Sequence, residues 1–171
     1  KVHVVCNNAG VAAGGPMGSV SERDWDWVMD VNLMGVVYGM EVFAPLIEGH
    51  GEGGHFVNTA SMAGMLGITN MEPYCATKFA VVAMSEGWAG QLAGKNIGVS
   101  VLCPGFVQTR IHESFRNTQA RDGGSEVLGY ANQAQFLVNC AITEVLGQVD
   151  ASDAVRHAPR VVFSAVIFSK K

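Results

Sequence analysis

The chain has 171 residues, 49% of them hydrophobic, and a formal net charge of −4. That apolar share excludes a disordered chain, and 11 basic against 15 acidic residues make a poor electrostatic match to nucleic acid. No unbroken run reaches the roughly 18 apolar residues of a membrane span, and the opening residues do not read as a signal peptide. Glycine, with 21 residues, stands well above its usual share, which implies tight turns and close backbone approaches. Cys6, Cys75, Cys103 and Cys140 show no C-x-x-C spacing and no neighbouring histidine cluster. They read as core thiols of a reducing, cytoplasmic compartment rather than as a zinc site or redox pair.

Residues 2–6 are mostly β-branched and run into Asn7-Asn8-Ala9-Gly10, the pattern of a short buried strand entering a loop. Gly10 to Val20 reads as loop. Ser21 followed by Asp24 marks a helix start, with a side-chain oxygen for free amides and an acid at the positive helix end. A helix is predicted over 22–47, with Trp25, Val28, Met29, Leu33, Val36, Val37, Met40 and Phe43 forming its apolar stripe and Pro45 weakening its final turns. A Gly-rich linker follows from Glu48 to Gly54. His55 to Ala60 is a second strand, and a Met- and Gly-rich loop leads to Glu72. Pro73 suits the first helical position, so a helix is predicted over 73–93, ended by Gly94. Ile97 to Cys103 is a third strand, stopped by Pro104-Gly105. Beyond lie a polar segment at Ile111–Gly129, a helix near 130–146 and a helix after Ser152. Both ends of the chain read as cut.

Strand, long helix, strand, long helix, strand is the pattern of right-handed crossovers in a parallel sheet covered by helices on both faces. Functional groups in such sheets gather beyond the carboxyl ends of the strands. Asn7 to Gly10, Ser61 and Pro104-Gly105 all fall there.

Tyr74 and Lys78, four residues apart on one helix, face the same way with roughly 5–6 Å between Cβ atoms. An ammonium at that range favours phenolate and would lower the tyrosine pKa, suiting it to proton transfer. By itself the pair also fits an aromatic surface residue beside a solvated amine. Ser61 follows the second strand, where a hydroxyl can bond a carbonyl oxygen; a local turn bond is the plainer alternative. Asn32 interrupts an apolar stripe and, if buried, must find partners for its amide. Pro104 to Thr109 offers backbone groups and a hydroxyl at the sheet's mouth, or simply a strand terminator.

Taken in order, Asn-Asn-Ala-Gly, Asn32, Ser61, Tyr74-x-x-x-Lys78 and Pro104-Gly-x-Val-x-Thr109 resemble the short-chain dehydrogenase/reductase family, in its shorter single-domain subgroup. The resemblance is close over Lys1 to about Arg110 and looser beyond. It implies an α/β fold, a partial Rossmann-like parallel sheet with flanking helices and its N-terminal strands missing. Residues 1–171 would be the C-terminal part of a single dinucleotide-binding oxidoreductase domain. It further implies an NAD- or NADP-dependent oxidoreductase interconverting an alcohol and a ketone or aldehyde. Tyr74 would be the acid/base, Ser61 would polarise the substrate oxygen, and Lys78 would lower the tyrosine pKa and bond the nicotinamide ribose. Asn32 would hold a water of a proton relay. Asn7, Ala9 and Gly10 would lie beside the adenosine side of the cofactor. Pro104, Gly105, Val107 and Thr109 would hold its nicotinamide end. No metal is implied.

Helices 22–47 and 73–93 would form the interface of a homodimer or homotetramer, and neither nucleic acid nor membrane is an expected partner. Apolar Met62, Met65, Leu66, Ile68 and Met71 suggest a hydrophobic small-molecule alcohol or carbonyl substrate.

The sequence departs from the family pattern in one respect: its pyrophosphate-binding glycine turn, T-G-x-x-x-G-x-G, does not occur in the 171 residues. Without a strand beyond it, Val2–Cys6 would be an apolar sheet edge. The alternative to an enzyme is therefore a non-catalytic fragment that serves only as an oligomerisation or interaction module. An epimerase or dehydratase of the extended relatives is a further reading, opposed by Asn7 to Gly10 and Asn32.

Overall fold

The computed structural model describes residues 1–105, Val107, Ile111 and the strand at 161–164. In chain order these form β1 (Val4–Asn7), α1 (Glu22–Met29), a π-helical turn (Asp30–Met34), α2 (Gly35–His50), β2 (Gly54–Thr59), a 3₁₀ turn (Met62–Gly64), α3 (Glu72–Leu92), a second 3₁₀ turn (Ala93–Lys95), β3 (Ile97–Leu102) and β4 (Val161–Ser164). The strands pair in parallel in the order β3-β2-β1-β4. This is the expected partial Rossmann-like sheet with flanking helices.

Strand parity decides what each face holds. Val5 and Asn7 of β1 lie in register with Phe56 and Asn58 of β2, and these with Val99 and Val101 of β3. That face meets the helices. Val5, Phe56 and Ile97 pack with Val36, Met40 and Ile47 of α2 and with Val81 and Leu92 of α3. On the other face Val4, Cys6 and Val57 are only half-buried, so full cover on both faces is met on one face among the described residues.

The predicted 22–47 helix is two α-segments joined by a π turn. Ser21 caps it as expected: its hydroxyl oxygen accepts from the Asp24 amide at 3.2 Å, and its hydroxyl donates to the Asp24 carboxylate at 2.8 Å. At the π turn the Gly35 N–H reaches back five residues to the Asp30 carbonyl, which widens the helix by one residue. Pro45 does not end the helix. It sits on the exposed side and α2 continues to His50, where Gly51 at φ 70° closes it.

An 18-residue window within Glu22–His50 reaches a mean hydropathy of 1.3, sufficient by length and composition for a membrane span. A search for unbroken apolar runs misses it because Asn32 and the glycines interrupt the run without lowering the average much. The helix nonetheless lays Val36, Met40 and Ile47 into the core.

Two further expectations are corrected. The left-handed residue after α3 is Asn96 at φ 57°, not Gly94, which lies within the 3₁₀ turn. And β1 is not a free edge, because β4 pairs along its whole length on the side away from β2. The expected helices near 130–146 and after Ser152, and the polar segment Ile111–Gly129 apart from Ile111, lie outside the described residues.

Candidate active site

Three loops converge beyond the carboxyl ends of the strands. After β2, the Ala60 amide bonds the Leu102 carbonyl at 2.8 Å and the Met62 amide bonds the Pro104 carbonyl at 2.9 Å, tying the Ser61 loop to the start of the Pro104-Gly105 loop. Ser61 also starts the 3₁₀ turn, its hydroxyl oxygen accepting from the Ala63 amide at 3.2 Å. That turn rests on α3 through Gly64, where a Cβ would come within 2.6 Å of the Lys78 carbonyl oxygen. Only glycine permits this approach, and it holds Ser61 against α3.

On α3, Tyr74 and Lys78 meet as their spacing predicts, with Lys78 Nζ 5.5 Å from the centre of the Tyr74 ring. The Ser61 hydroxyl lies close enough to the Tyr74 phenol to pull its pKa down. The ionisation differs from the sequence expectation. Burial pushes the Tyr74 pKa up, and the Ser61 hydroxyl offsets this only in part. Lys78 is 2% exposed, and desolvation lowers its pKa from 10.5 to about 8, with Cys103 pulling the other way. Its amine donates to the Thr59 carbonyl at 2.9 Å and does not bond the phenol. Spacing alone shows the proximity of the two groups but not the desolvation that outweighs it.

Asn32 lies in the π turn and is fully buried. Its Oδ1 accepts from the Val11 amide at 2.8 Å, and its Nδ2 donates to the Val11 carbonyl at 2.9 Å and to Thr77 Oγ1 at 3.3 Å. The Thr77 hydroxyl donates in turn to the Tyr74 carbonyl at 2.7 Å. The Asn32 side chain thus clamps the loop after β1 to the first turns of α3. Gly10 is brought to the same place: a Cβ there would lie 3.7 Å from both Asn32 Oδ1 and Lys78 Nζ.

Asn7 is placed differently. Its side chain is 3% exposed, under α2, and donates to Asn58 Oδ1 at 2.8 Å. Asn58 donates to Ser85 Oγ at 3.0 Å, and Ser85 to the Val81 carbonyl at 2.7 Å. Any contact of Asn7 with a ligand at the mouth falls to its main chain. Ala9 and Gly105 are half-buried in the converging loops, as are Pro104 and Val107. Thr109 lies outside the described residues. Asn58, Thr77 and Ser85 were not singled out from sequence, although polar residues within apolar strand and helix patterns were the available signal.

Cys103 joins the site unexpectedly. Burial raises its pKa, while a Ser61 backbone hydrogen bond and the Lys78 charge pull it down.

Chain order runs outward from β1 through β2 to β3, and β4 lies on the opposite side of β1. The order reverses between β1 and β4, the place where open α/β sheets bind ligands beyond their carboxyl ends. Gly10 and Lys78 stand next to it.

The family profile for short chain dehydrogenase matches residues 1–120. The chain belongs to the short-chain dehydrogenase/reductase family. It is 38% identical over 126 residues to a CLA biosynthesis dehydrogenase/reductase of Lactiplantibacillus plantarum, covering 71% of this chain and 44% of that protein. It is 33% identical over 154 residues to a diacetyl reductase [(S)-acetoin forming] of Staphylococcus aureus, covering 90% of this chain and 58% of that one. Among solved structures, a short-chain dehydrogenase/reductase of Burkholderia phymatum in complex with NAD superposes with a TM-score of 0.66 at 33% identity, covering 96% of this chain and 62% of that one. A gluconate 5-dehydrogenase of Burkholderia cenocepacia in complex with NADP and tartrate gives 0.62 at 29% identity, covering 69% and 46%. This short-chain dehydrogenase/reductase chain spans about half the length of the relatives it matches.

Proposed function

We propose that this chain carries the catalytic groups of an NAD(P)-dependent oxidoreductase that interconverts an alcohol and a ketone or aldehyde. The observation that carries the reading is the Ser61–Tyr74 hydroxyl pair beside a buried Lys78 at the mouth of a parallel sheet. Residues 1–171 are read as the C-terminal part of one dinucleotide-binding domain, because the match takes in 44% of one relative and 58% of another and the glycine turn is not among these residues.

The residues present fit the nicotinamide end of a dinucleotide. Gly10 leaves the approach to the Lys78 amine uncrowded, and one of the three N–H donors of that amine is held by Thr59. Lys78 and Tyr74 would hold the ribose, Pro104, Gly105, Val107 and Thr109 the nicotinamide, and the main chain of Asn7 to Gly10 the adenosine side. Nicotinamide, when bound, supplies or accepts the hydride at the carbinol carbon. In reduction, Tyr74 gives its proton to the substrate oxygen while the Ser61 hydroxyl donates a hydrogen bond to the same atom. In oxidation Tyr74 takes the proton back. Burial raises the Tyr74 pKa, so the phenol holds its proton more tightly than a free tyrosine. The nearby Lys78 charge works against this and eases proton release when substrate displaces water and lowers the local dielectric.

Exposed Met62, Met65, Leu66 and Ile68 follow Ser61 directly and support a substrate with an apolar body. Tyr38, Val42 and Leu46 form an exposed apolar stripe on α2, and Phe79 is exposed on α3. They support a homodimer or homotetramer through these helices. The free thiols of Cys6, Cys75 and Cys103 fit a reducing cytoplasm.

The test is carbonyl reduction followed by loss of NADH or NADPH, in the chain and in Tyr74→Phe. The variant is expected to lose about 10²–10⁴-fold of the rate, and an unchanged rate removes Tyr74 from the mechanism. A folded chain that binds neither nucleotide, whatever its helices assemble into, would favour the interaction-module reading.

A further inference from the structure

At the amino end of the sheet, opposite the mouth that holds Ser61, the fold gathers two imidazoles and a carboxylate far apart in sequence. His3 precedes β1, His50 ends α2 and Glu52 lies in the turn that follows. One donor atom from each lies within 4.8 Å of the other two. We propose that His3, His50 and Glu52 form a binding site for a divalent transition-metal ion, with Zn²⁺ as the best-fitting species.

The donor set carries the first part of the argument. Two imidazole nitrogens and one carboxylate oxygen match the borderline preference of Zn²⁺ and leave a fourth position for water. Bonds of about 2.0–2.2 Å in a tetrahedron place the donors roughly 3.3–3.6 Å apart. The cluster is within about an ångström of that, and Glu52, half-exposed, has room to move.

The tautomers carry the second part. His50 Nε2 lies 2.7 Å from the Val2 carbonyl oxygen, which can only accept, so Nε2 holds the proton and Nδ1 keeps its lone pair. That lone pair now accepts from the Glu52 amide at 3.2 Å. A carbonyl fixing the outer nitrogen of an imidazole is the usual support of a metal-ligating histidine. The His3 ring is tilted 46° to that of His50 at 4.7 Å between centres. Its Nε2 lies 2.8 Å from the Glu52 carboxylate, and its Nδ1 is buried without a hydrogen-bond partner. The nitrogen that faces the cluster is Nε2.

Charge carries the third. The Glu52 carboxylate bonds the Lys1 amine and lies 2.8 Å from His3 Nε2, so the cluster sets one carboxylate oxygen beside the two imidazoles. His50 also stands at the negative end of α2, which favours a cation. A bound metal takes the place of the Lys1 ammonium on Glu52. It would clip the start of β1 to the turn between α2 and β2, a structural role separate from the chemistry at the mouth.

The experiment is calorimetric titration of the tag-free chain with Zn²⁺, with Co²⁺ absorption as a report on the ligands. The expected result is one-to-one binding, a visible Co²⁺ band of four-coordinate intensity without thiolate charge transfer, and a melting temperature that rises with Zn²⁺. His50→Gln and Glu52→Gln should each weaken binding at least tenfold, Lys1→Ala should tighten it, and His55→Gln, whose imidazole bonds Ser100, should leave it unchanged. Glu52 is exposed, so its amide variant tests the site without disturbing the core. No binding at millimolar Zn²⁺, equal binding by Glu52→Gln, or a Co²⁺ spectrum dominated by thiolate bands would each overturn the proposal.

Discussion

Lys78 is a buried cation, and its cost to the fold can be read from pH. Burial lowers its pKa from 10.5 to about 8. The gap corresponds to about 3 kcal/mol by which the folded chain disfavours the charged amine. Below about pH 8 both folded and unfolded chains carry the proton, so the penalty is constant. Between about pH 8 and 10.5 the unfolded chain holds the proton and the folded chain has released it. The unfolded state then binds more protons, and stability rises with pH. Lys78→Met keeps the length of the side chain and removes the charge, but leaves the Thr59 carbonyl without its donor, at a cost of about 1–3 kcal/mol. At neutral pH the variant should therefore match or slightly exceed the wild type. The informative quantity is the stability difference followed with pH by urea unfolding, in which other titrating groups largely cancel. The wild type should gain about 3 kcal/mol on the variant over that window. A difference that stays flat with pH would show that the amine is solvated, and the account of Lys78 as a desolvated group would fail.

Other substitutions separate close packing from open surface. Gly39→Ala would place a Cβ 2.1 Å from Asn7 Oδ1, in a buried side chain whose Nδ2 is held by Asn58, and should destabilise by about 1–3 kcal/mol. Gly90→Ala, on the exposed side of α3 with nothing near its Cβ, should stabilise by up to about 1 kcal/mol; the same sign for both in chemical denaturation would refute the packing argument. Asn32→Leu strands the Val11 amide and carbonyl and should lower stability by about 3 kcal/mol or more, with a melting temperature several degrees lower by calorimetry. Asn32→Asp retains the acceptor for the Val11 amide and should fall between the two.

Much of this was legible because each device has a local signature. The Ser21 cap, the parallel β1-β2-β3 order and the Tyr74–Lys78 pairing follow from residue types at fixed offsets. The π turn was not legible, since an apolar stripe with a period of 3.6 tolerates one extra residue without losing its register. Nor was the displacement of the left-handed cap to Asn96, because Gly94 has the stronger intrinsic preference and the packing of the following strand decides. The role of Asn7 could have been found: it stands two residues after Val5, and Asn58 stands two after Phe56, so strand parity alone puts both amides on the helix-covered face. What sequence could not supply is desolvation. Tyr74 and Lys78 are neighbours in either environment, and only their burial decides that both pKa values move against ionisation.

The distribution of hydrogen bonds around the mouth leaves the side chains of Tyr74, Ser61 and Lys78 with capacity for a ligand, as the proposed chemistry requires. Tyr74 is held through its main-chain carbonyl, by Thr77 and beyond it Asn32. Ser61 is held through the backbone of its loop, by the Ala60 and Met62 amides and the Gly64 contact with α3. The amide pairs Asn32–Val11 and Asn7–Asn58 absorb the fixing of the strand ends. The Ser61 hydroxyl oxygen also accepts from the Ala63 amide, but a hydroxyl accepts and donates at once, so its proton can still turn towards a substrate oxygen. Lys78 combines the two in another way, with one donor on the Thr59 carbonyl. An ammonium has three donors, so that bond can fix its position and leave the others for a ligand.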